Sequence, residues 1–141
     1  MKLLIPFLST VILFLSSYSC SEDVSKADKI DGGIKSIQRW LSIVDSGEYS
    51  KSWQATGSLF QKQLSDSQWT DALNKTRKPF GKLISRKIKS SDYKTSLPGV
   101  PDGEYIVTVF NTSFENKKKG KETVTAIFEN NEWKVVGYFI K

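Results

Sequence analysis

Histidine is absent from this chain, and cysteine occurs once, at position 20. Without histidine the protein lacks the commonest general base, the commonest metal ligand and every catalytic triad built on imidazole. A single cysteine leaves no internal disulfide and no zinc site of the usual kinds, and no Gly-rich phosphate loop or Asp-rich calcium loop occurs. The sequence therefore predicts no metal site and no cofactor, and leaves Asp, Glu, Lys, Tyr or Ser for any catalysis.

The chain begins with an apolar leader. Lys2 precedes an apolar stretch over residues 3–15, which has the length of a signal-peptide core and falls short of the about 20 residues that span a membrane. The small residues Ser17 and Ser19 follow, directly before Cys20. This arrangement resembles a bacterial lipoprotein leader, in which cleavage between Ser19 and Cys20 leaves the cysteine as the lipid-modified first residue. Ser17 stands where that pattern usually has Leu, so an ordinary secretory cut is the alternative.

The leader sets the expected domain organisation and location. We predict a signal peptide over 1–19, a polar tether over 20–25 and a single domain over 26–141, a length that suits one hydrophobic core. If Cys20 is lipidated, the protein is exported and anchored in a membrane, at the outer membrane or the periplasmic face. With plain cleavage it is secreted or periplasmic.

The chain is basic, with a net charge of +6 at pH 7. No nucleic-acid-binding motif accompanies this charge, so a nucleic acid is not an expected partner. Four lysines lie around Gly120, between two strand-like runs: Lys117, Lys118, Lys119 and Lys121. We interpret this segment as a solvated hairpin loop, with a weak contact to anionic envelope surfaces as the functional alternative.

Helical periodicity occupies the first half of the domain. Apolar residues recur three and four positions apart over 24–44, and Gly47 follows as a left-handed cap. A second helix is predicted over 48–64, although Gly57 weakens its middle. A third, over 65–79, opens on a serine followed three positions later by a glutamine, which is a capping-box pattern.

The second half has the period of strands. Strands are predicted at 83–90, 104–114, 122–129 and 132–140, with a Pro- and Gly-rich connection after the first and a tight Asn-Asn turn before the last. Both faces of the last strand are partly apolar, so we expect it to lie in the centre of the sheet. The order predicts an α+β fold, with N-terminal helices packed on a curved antiparallel sheet.

Residues shared with one bacterial family extend over nearly the whole predicted domain: Trp40, Asp45, Gly47, Tyr49, Ser52, Trp53, Arg77, Pro79, Gly81, Ser85, Arg86, the segment 97–105 without Val100, Thr112, Ser113, Phe114, Glu122, Thr123, Val124, Trp133, Val135, Gly137 and Tyr138. In these residues the chain resembles the DUF4019 envelope proteins of unknown function. The resemblance implies a cystatin-like or NTF2-like cone. It brings no catalytic assignment.

The candidate ligand-binding residues are the charged and aromatic residues expected near a cleft: Trp53, Arg86, Glu104, Tyr105 and Tyr138. Arg86 shares a strand face with Ile84 and Ile88 and is expected to point toward the helices. Two interpretations remain open for it. It either anchors an anionic ligand or pairs with a carboxylate at the rim, Glu104 or Glu122.

Two functions from different classes fit this sequence. The first is a non-catalytic binding or interaction module of the cell envelope, whose ligand is an envelope protein, a peptide or a small amphipathic molecule. The second is a cofactorless NTF2-like lyase or isomerase, with Asp45 or Glu104 as base beside Tyr105 or Tyr138. The absence of a catalytic set favours the first.

Overall fold

The structure, a computed structural model, describes residues 25–141. Helices α1 Lys26–Asp45, α2 Tyr49–Gln54, α3 Ser58–Gln63 and α4 Asp66–Thr76 come first, followed by strands β1 Leu83–Lys94, β2 Tyr105–Phe114, β3 Lys117–Glu129 and β4 Glu132–Ile140. The strands form one antiparallel sheet in chain order. The predicted α+β fold, with helices packed on an antiparallel sheet, is confirmed. The cone-like curvature stays a prediction.

Helix α1 lies closest to the sheet. Ser25 caps it by accepting a hydrogen bond from the backbone of Asp28, and Gly47 ends it in the left-handed conformation, with φ of 80°. Gly33 is buried, and a Cβ at this position would come within 2.8 Å of the Cβ of Ile106 on β2. The absence of a side chain at Gly33 therefore lets the helix approach the sheet.

The predicted second helix is in fact two helices separated by Gly57. The backbone N–H of Gly57 donates to the carbonyl of Val135 on β4, at 2.7 Å, and Thr56 forms a parallel bridge to the same residue. The carboxylate of Glu129 then accepts from the backbone N–H and the hydroxyl of Ser58, at the start of α3. The prediction of one continuous helix was wrong. The backbone N–H of Gly57 bonds to the edge of the sheet, which separates α2 from α3.

Helix α4 begins as the sequence predicts. Ser65 and Gln68 form both hydrogen bonds of the capping box. Between this helix and α1, Ser52 is fully buried and accepts from two indoles, that of Trp40 at its carbonyl and that of Trp69 at its hydroxyl. These contacts join the helices into one layer over the core.

The strand order corrects two expectations. The last strand, β4, lies at an edge of the sheet, and the alternation of its apolar residues is interrupted by a register shift that leaves Val136 as an extra residue. The β2–β3 turn consists of Glu115 and Asn116, so Lys117 and the lysines after it belong to β3 and not to a loop. The tight turn between β3 and β4 is confirmed, with Asn130 and Asn131 both at positive φ.

One face of the sheet carries no helix. The helices cover the face with Ile106, Phe110 and Val124, all buried. The other face is covered only at one end, where the hydroxyl of Tyr105 donates to the carbonyl of Pro101 in the β1–β2 loop. The opposite end of that face is open.

No helix within residues 25–141 is both long and apolar enough to cross a membrane. The predicted signal peptide, cleavage site and lipidated Cys20 lie outside the described residues.

Candidate functional site

A carboxylate buried under the helices is the centre of the most polar site in the domain. Glu122 lies on β3 with 0% of its surface exposed. Its oxygens accept from the hydroxyls of Thr112, at 2.6 Å, and Tyr138, at 2.7 Å. They also accept from Arg86, at 2.6 Å from Nε and 3.1 Å from Nη2. Four hydrogen bonds thus fill the acceptor positions of this carboxylate.

Arg86 joins this carboxylate to the end of α1. Its Nη1 and Nη2 donate to the two carboxylate oxygens of Asp45, at 2.7 and 3.0 Å. The guanidinium therefore makes a forked contact on each side, the geometry for which its planar donors are suited. Of the two carboxylates expected for Arg86, the structure pairs it with Glu122, which is buried rather than at a rim.

Arg77 completes the cluster from the other side of Asp45. It is 3% exposed, and it donates to Asp45 at 3.1 Å and to the carbonyl of Gly81 at 2.7 Å. Its guanidinium also lies 4.2 Å from the ring centroid of Phe114, a favourable cation–π distance. We call Asp45, Arg77, Arg86, Glu122 and Tyr138 the buried charge cluster.

The charges of the cluster balance, with an arginine for each carboxylate. Burial alone would lower the pKa of Arg86, but the hydrogen bonds that Arg86 donates to Asp45 and Glu122 outweigh it and raise that pKa. Burial and the neighbouring charge of Glu122 raise the pKa of Tyr138. The arginine thus stays charged and the phenol stays neutral over the ordinary pH range.

This geometry suits structure better than catalysis. A general base needs a free lone pair within reach of a substrate proton, whereas the Glu122 oxygens are occupied and sealed under the helices. The cluster instead ties the end of α1 to β1, β3 and β4. It fixes the helix layer on the sheet.

The model of one family, described as "Protein of unknown function (DUF4019)", matches residues 36–138. The chain belongs to the DUF4019 family. The match spans most of the chain and includes every member of the buried charge cluster. Among curated proteins, no sequence is significantly similar to this one.

The other candidate binding residues of this DUF4019 domain do not join the cluster. Glu104 accepts from Lys29 at 2.9 Å near the start of α1, and this contact raises the pKa of Lys29. Tyr105 lies under the β1–β2 loop, where burial and then the charge of Asp102 raise its pKa. The indole of Trp53 donates to the carbonyl of Leu64. The structure thus brings together only Arg86 and Tyr138 of the predicted set.

An open groove runs between α1 and the start of β4, on the helix side of the sheet. Its volume is about 640 Å³, within the range of small-ligand sites. Trp133 and Ile43 form apolar walls, while Lys35 and Arg39 stand exposed along α1. From β4 the groove is lined by Glu132 and Lys134, which pair with each other at 3.5 Å. Lys35 pairs with Asp31. Arg39 has no salt bridge or side-chain hydrogen bond within residues 25–141. We call this the α1–β4 groove.

Sequence reasoning did not identify this groove, although a signal for it existed. Lys35 and Arg39 are four positions apart on the first helix, so they share one exposed face. What the sequence lacked was the position of Trp133, which depends on β4 being an edge strand beside α1. Residues 25–141 contain no group of three or more side chains suited to hold a metal ion.

Proposed function

We propose that this DUF4019 protein is an exported, non-catalytic binding module, anchored in a membrane through a lipid on Cys20, that holds its ligand in the α1–β4 groove. The observation that carries this proposal is the closure of the buried charge cluster. The two carboxylates of this interior site hold hydrogen bonds from its own arginines and tyrosine, whereas Arg39 in the groove has no salt bridge or side-chain hydrogen bond within residues 25–141.

The enzymatic alternative needs a free carboxylate beside a tyrosine. Asp45 holds Arg77 and Arg86, and Glu104 holds Lys29. The hydroxyl of Tyr105 is engaged by a backbone carbonyl, and that of Tyr138 by Glu122. No hydrogen bond within residues 25–141 joins either proposed base to either tyrosine. The geometry therefore supports binding over a lyase or isomerase.

The walls of the groove favour an amphipathic ligand with an acidic group. The indole of Trp133 and the side chain of Ile43 offer apolar contact, and Arg39 is an exposed guanidinium that suits a carboxylate or phosphate. The pair of Lys35 with Asp31 is exposed and weak, so Lys35 is free to turn to a ligand. A small amphipathic acid or the acidic end of a peptide fits both features.

Native mass spectrometry of the full protein, released from its membranes in mild detergent, tests ligand binding. We expect a bound species in the wild type and in Lys62→Gln, which removes another exposed charge, on α3. We expect Arg39→Gln to weaken retention about tenfold, the effect of losing a charged hydrogen bond. Equal retention of the ligand by Arg39→Gln and Lys62→Gln would contradict the groove assignment. Chemical conversion of the bound ligand by the protein would favour the lyase or isomerase.

The anchor is tested separately by the intact mass of the mature protein from a membrane fraction. We expect a chain that begins at Cys20 and carries the added mass of acyl groups. A chain that begins at Cys20 without this mass would defeat lipidation and leave plain secretion.

A further inference from the structure

The uncovered face of the sheet carries a concentration of lysines at its open end. Lys87 on β1, Asn111 on β2 and Lys121 on β3 are direct neighbours across the strands, and Lys141 pairs with Lys121 from beyond β4. Residues opposite each other in an antiparallel sheet project from the same face. Like charges at such positions are destabilising, so this row has a structural cost.

A β-bulge adds a further lysine to the same place. The register of β2 and β3 shifts between Thr112 and Phe114, so that both Lys118 and Lys119 fall opposite Ser113. Both lysines line a shallow hollow of about 440 Å³, together with Ser85, Lys87, Asn111 and Ser113. Bulges commonly redirect a side chain at a functional site. Here the bulge interrupts the alternation of β3, so that two consecutive lysines lie at one position of the sheet.

The hollow contains donors and no acid. Every charged side chain that lines it is a lysine, and the others are hydroxyls and an amide. None of Lys87, Lys118, Lys119 and Lys121 takes part in a salt bridge within residues 25–141. Lysine is a point charge that suits phosphate, and hydroxyl and amide N–H groups supply the hydrogen bonds. The chemistry of the hollow is complementary to a phosphate group.

An exposed aromatic residue lies beside the lysines. Phe139 pairs with Thr123 and stands two positions from Lys141, so it projects from the same uncovered face. Its side chain is 61% exposed. Lysines around an exposed phenylalanine are the usual composition of a surface that rests on a bilayer, where the cations meet headgroups and the ring enters the interface.

We propose that the open end of the uncovered sheet face is a membrane-facing surface, which binds the phosphate headgroups of anionic phospholipids through Lys87, Lys118, Lys119 and Lys121. This inference goes beyond the proposed lipid anchor and does not depend on it, since the lysines would bind anionic headgroups whether or not Cys20 carries acyl chains. The chain from Cys20 to Ser25 reaches at most about 18 Å, and it joins α1 near Glu104, at the end of the sheet opposite the lysines. The anchor and the lysines would therefore attach the domain to the bilayer at its two ends.

This orientation assigns the two faces of the domain to different tasks. The α1–β4 groove lies on the helix side of the sheet and would face away from the bilayer. The ligand site would stay accessible to solvent while the lysines bind the bilayer.

Vesicle sedimentation with the unacylated chain 21–141 tests the surface independently of Cys20. This chain contains every described residue and the whole core, and circular dichroism checks that each variant is folded. We expect it to bind vesicles of phosphatidylcholine mixed with phosphatidylglycerol, and not vesicles of phosphatidylcholine alone. The variant Lys118→Gln/Lys119→Gln should bind about thirtyfold more weakly, the equivalent of about 2 kcal/mol at about 1 kcal/mol for each lysine.

The controls separate the surface from net charge. Lys62→Gln/Lys75→Gln removes the same charge from exposed positions on α3 and α4 and should change binding less than about twofold, because distant charges are screened. Lys118→Arg/Lys119→Arg keeps the charge and should bind as the wild type does.

Three outcomes would overturn the inference. An equal loss in the control pair would reduce the effect to net charge. Binding to phosphatidylcholine alone would remove the role of the headgroup phosphate. Binding of inorganic phosphate as tight as that of the mixed vesicles would assign the hollow to a soluble ligand. Failure of Cys20 acylation would leave this result unchanged, so the two proposals fail separately.

Discussion

Glu122 is a charged residue in the interior, and its charge must be compensated there. It is fully buried among aromatic and aliphatic side chains, where an isolated carboxylate would be strongly disfavoured. Arg86 supplies the opposite charge, and Thr112 and Tyr138 occupy the remaining lone pairs. A buried pair of this kind is not strongly stabilising in itself, but removal of one partner leaves an uncompensated charge.

A double-mutant cycle tests this description. Glu122→Gln and Arg86→Met alone should each lower the free energy of unfolding by about 3–5 kcal/mol, because each leaves an unbalanced buried charge. The double variant keeps Asp45 with Arg77 as a balanced pair and should be destabilised by less than the sum. We expect a coupling energy of at least about 1 kcal/mol from urea unfolding. Additive losses would show that the charges act independently.

Tyr138 should make stability depend on alkaline pH. Its pKa is raised by burial and by Glu122, so above about pH 10 the phenol ionises in the unfolded chain while the folded protein keeps its proton. The unfolded state then binds fewer protons, and stability falls with rising pH. The contribution is complete below that pH.

The variant Tyr138→Phe isolates this contribution. At neutral pH it should be about 1–3 kcal/mol less stable, because Glu122 loses a hydrogen bond. Above about pH 10 the extra stability of the wild type should be lost and the two stabilities should converge, since only the wild type has the phenol of Tyr138. Urea unfolding at several pH values measures both curves. A difference that stays constant into the alkaline range would be inconsistent with the raised pKa.

The sequence indicated this site only in part. Alternation placed Arg86 toward the helices, and Glu122 was one of its expected partners. Asp45 was considered as a base and as a residue shared with the DUF4019 family, and nothing local connects it with Arg86, which is 41 positions away. Arg77 was noted only as a shared residue, because its burial against Phe114 depends on a distant strand. Pairings over such separations are set by the tertiary fold.

At the scale of elements, the contact of α1 with the sheet depends on Gly33. An added methyl group would collide with Ile106 on β2. Glycine in a helix interior costs about 1 kcal/mol relative to alanine, so its presence here reflects the close approach rather than helix propensity.

We expect Gly33→Ala to lower the free energy of unfolding by about 1–3 kcal/mol, the usual cost of overpacking. Gly32→Ala is the matched control, since the added methyl group would meet only the partly exposed Trp133 side chain, which has room to shift. Its stability should stay near that of the wild type, because the gain in helix propensity offsets the contact. Thermal unfolding compares the two. If Gly33→Ala were as stable as the wild type, α1 would not pack closely against β2.

Elements defined by local patterns were predictable, and elements defined by distant contacts were not. The capping box at Ser65 and the Asn130–Asn131 turn are encoded within a few residues, and both are present. The break at Gly57 is imposed by hydrogen bonding to Val135, far along the chain. The edge position of β4 is likewise a property of the whole sheet, which a partly apolar strand does not reveal.

At the scale of the whole molecule, polar groups are divided between a closed interior and an open groove. The buried charge cluster pairs its charged groups with one another, although the Nε of Arg77 is buried without a hydrogen bond, and it fixes the helix layer on the sheet. The α1–β4 groove leaves Arg39 and Trp133 available to solvent. The intact cluster is therefore required for the fold, and the groove is the proposed binding site.

The most direct test compares two variants in ligand retention and in stability. Native mass spectrometry measures the retained ligand, and urea unfolding measures the stability. Tyr138→Phe should lose stability and keep the bound ligand. Lys35→Gln/Arg39→Gln should keep its stability within about 0.5 kcal/mol, as surface substitutions usually do, and lose the ligand. The reverse pattern, with the ligand lost from folded Tyr138→Phe and retained by the groove variant, would place binding at the buried cluster and contradict the account.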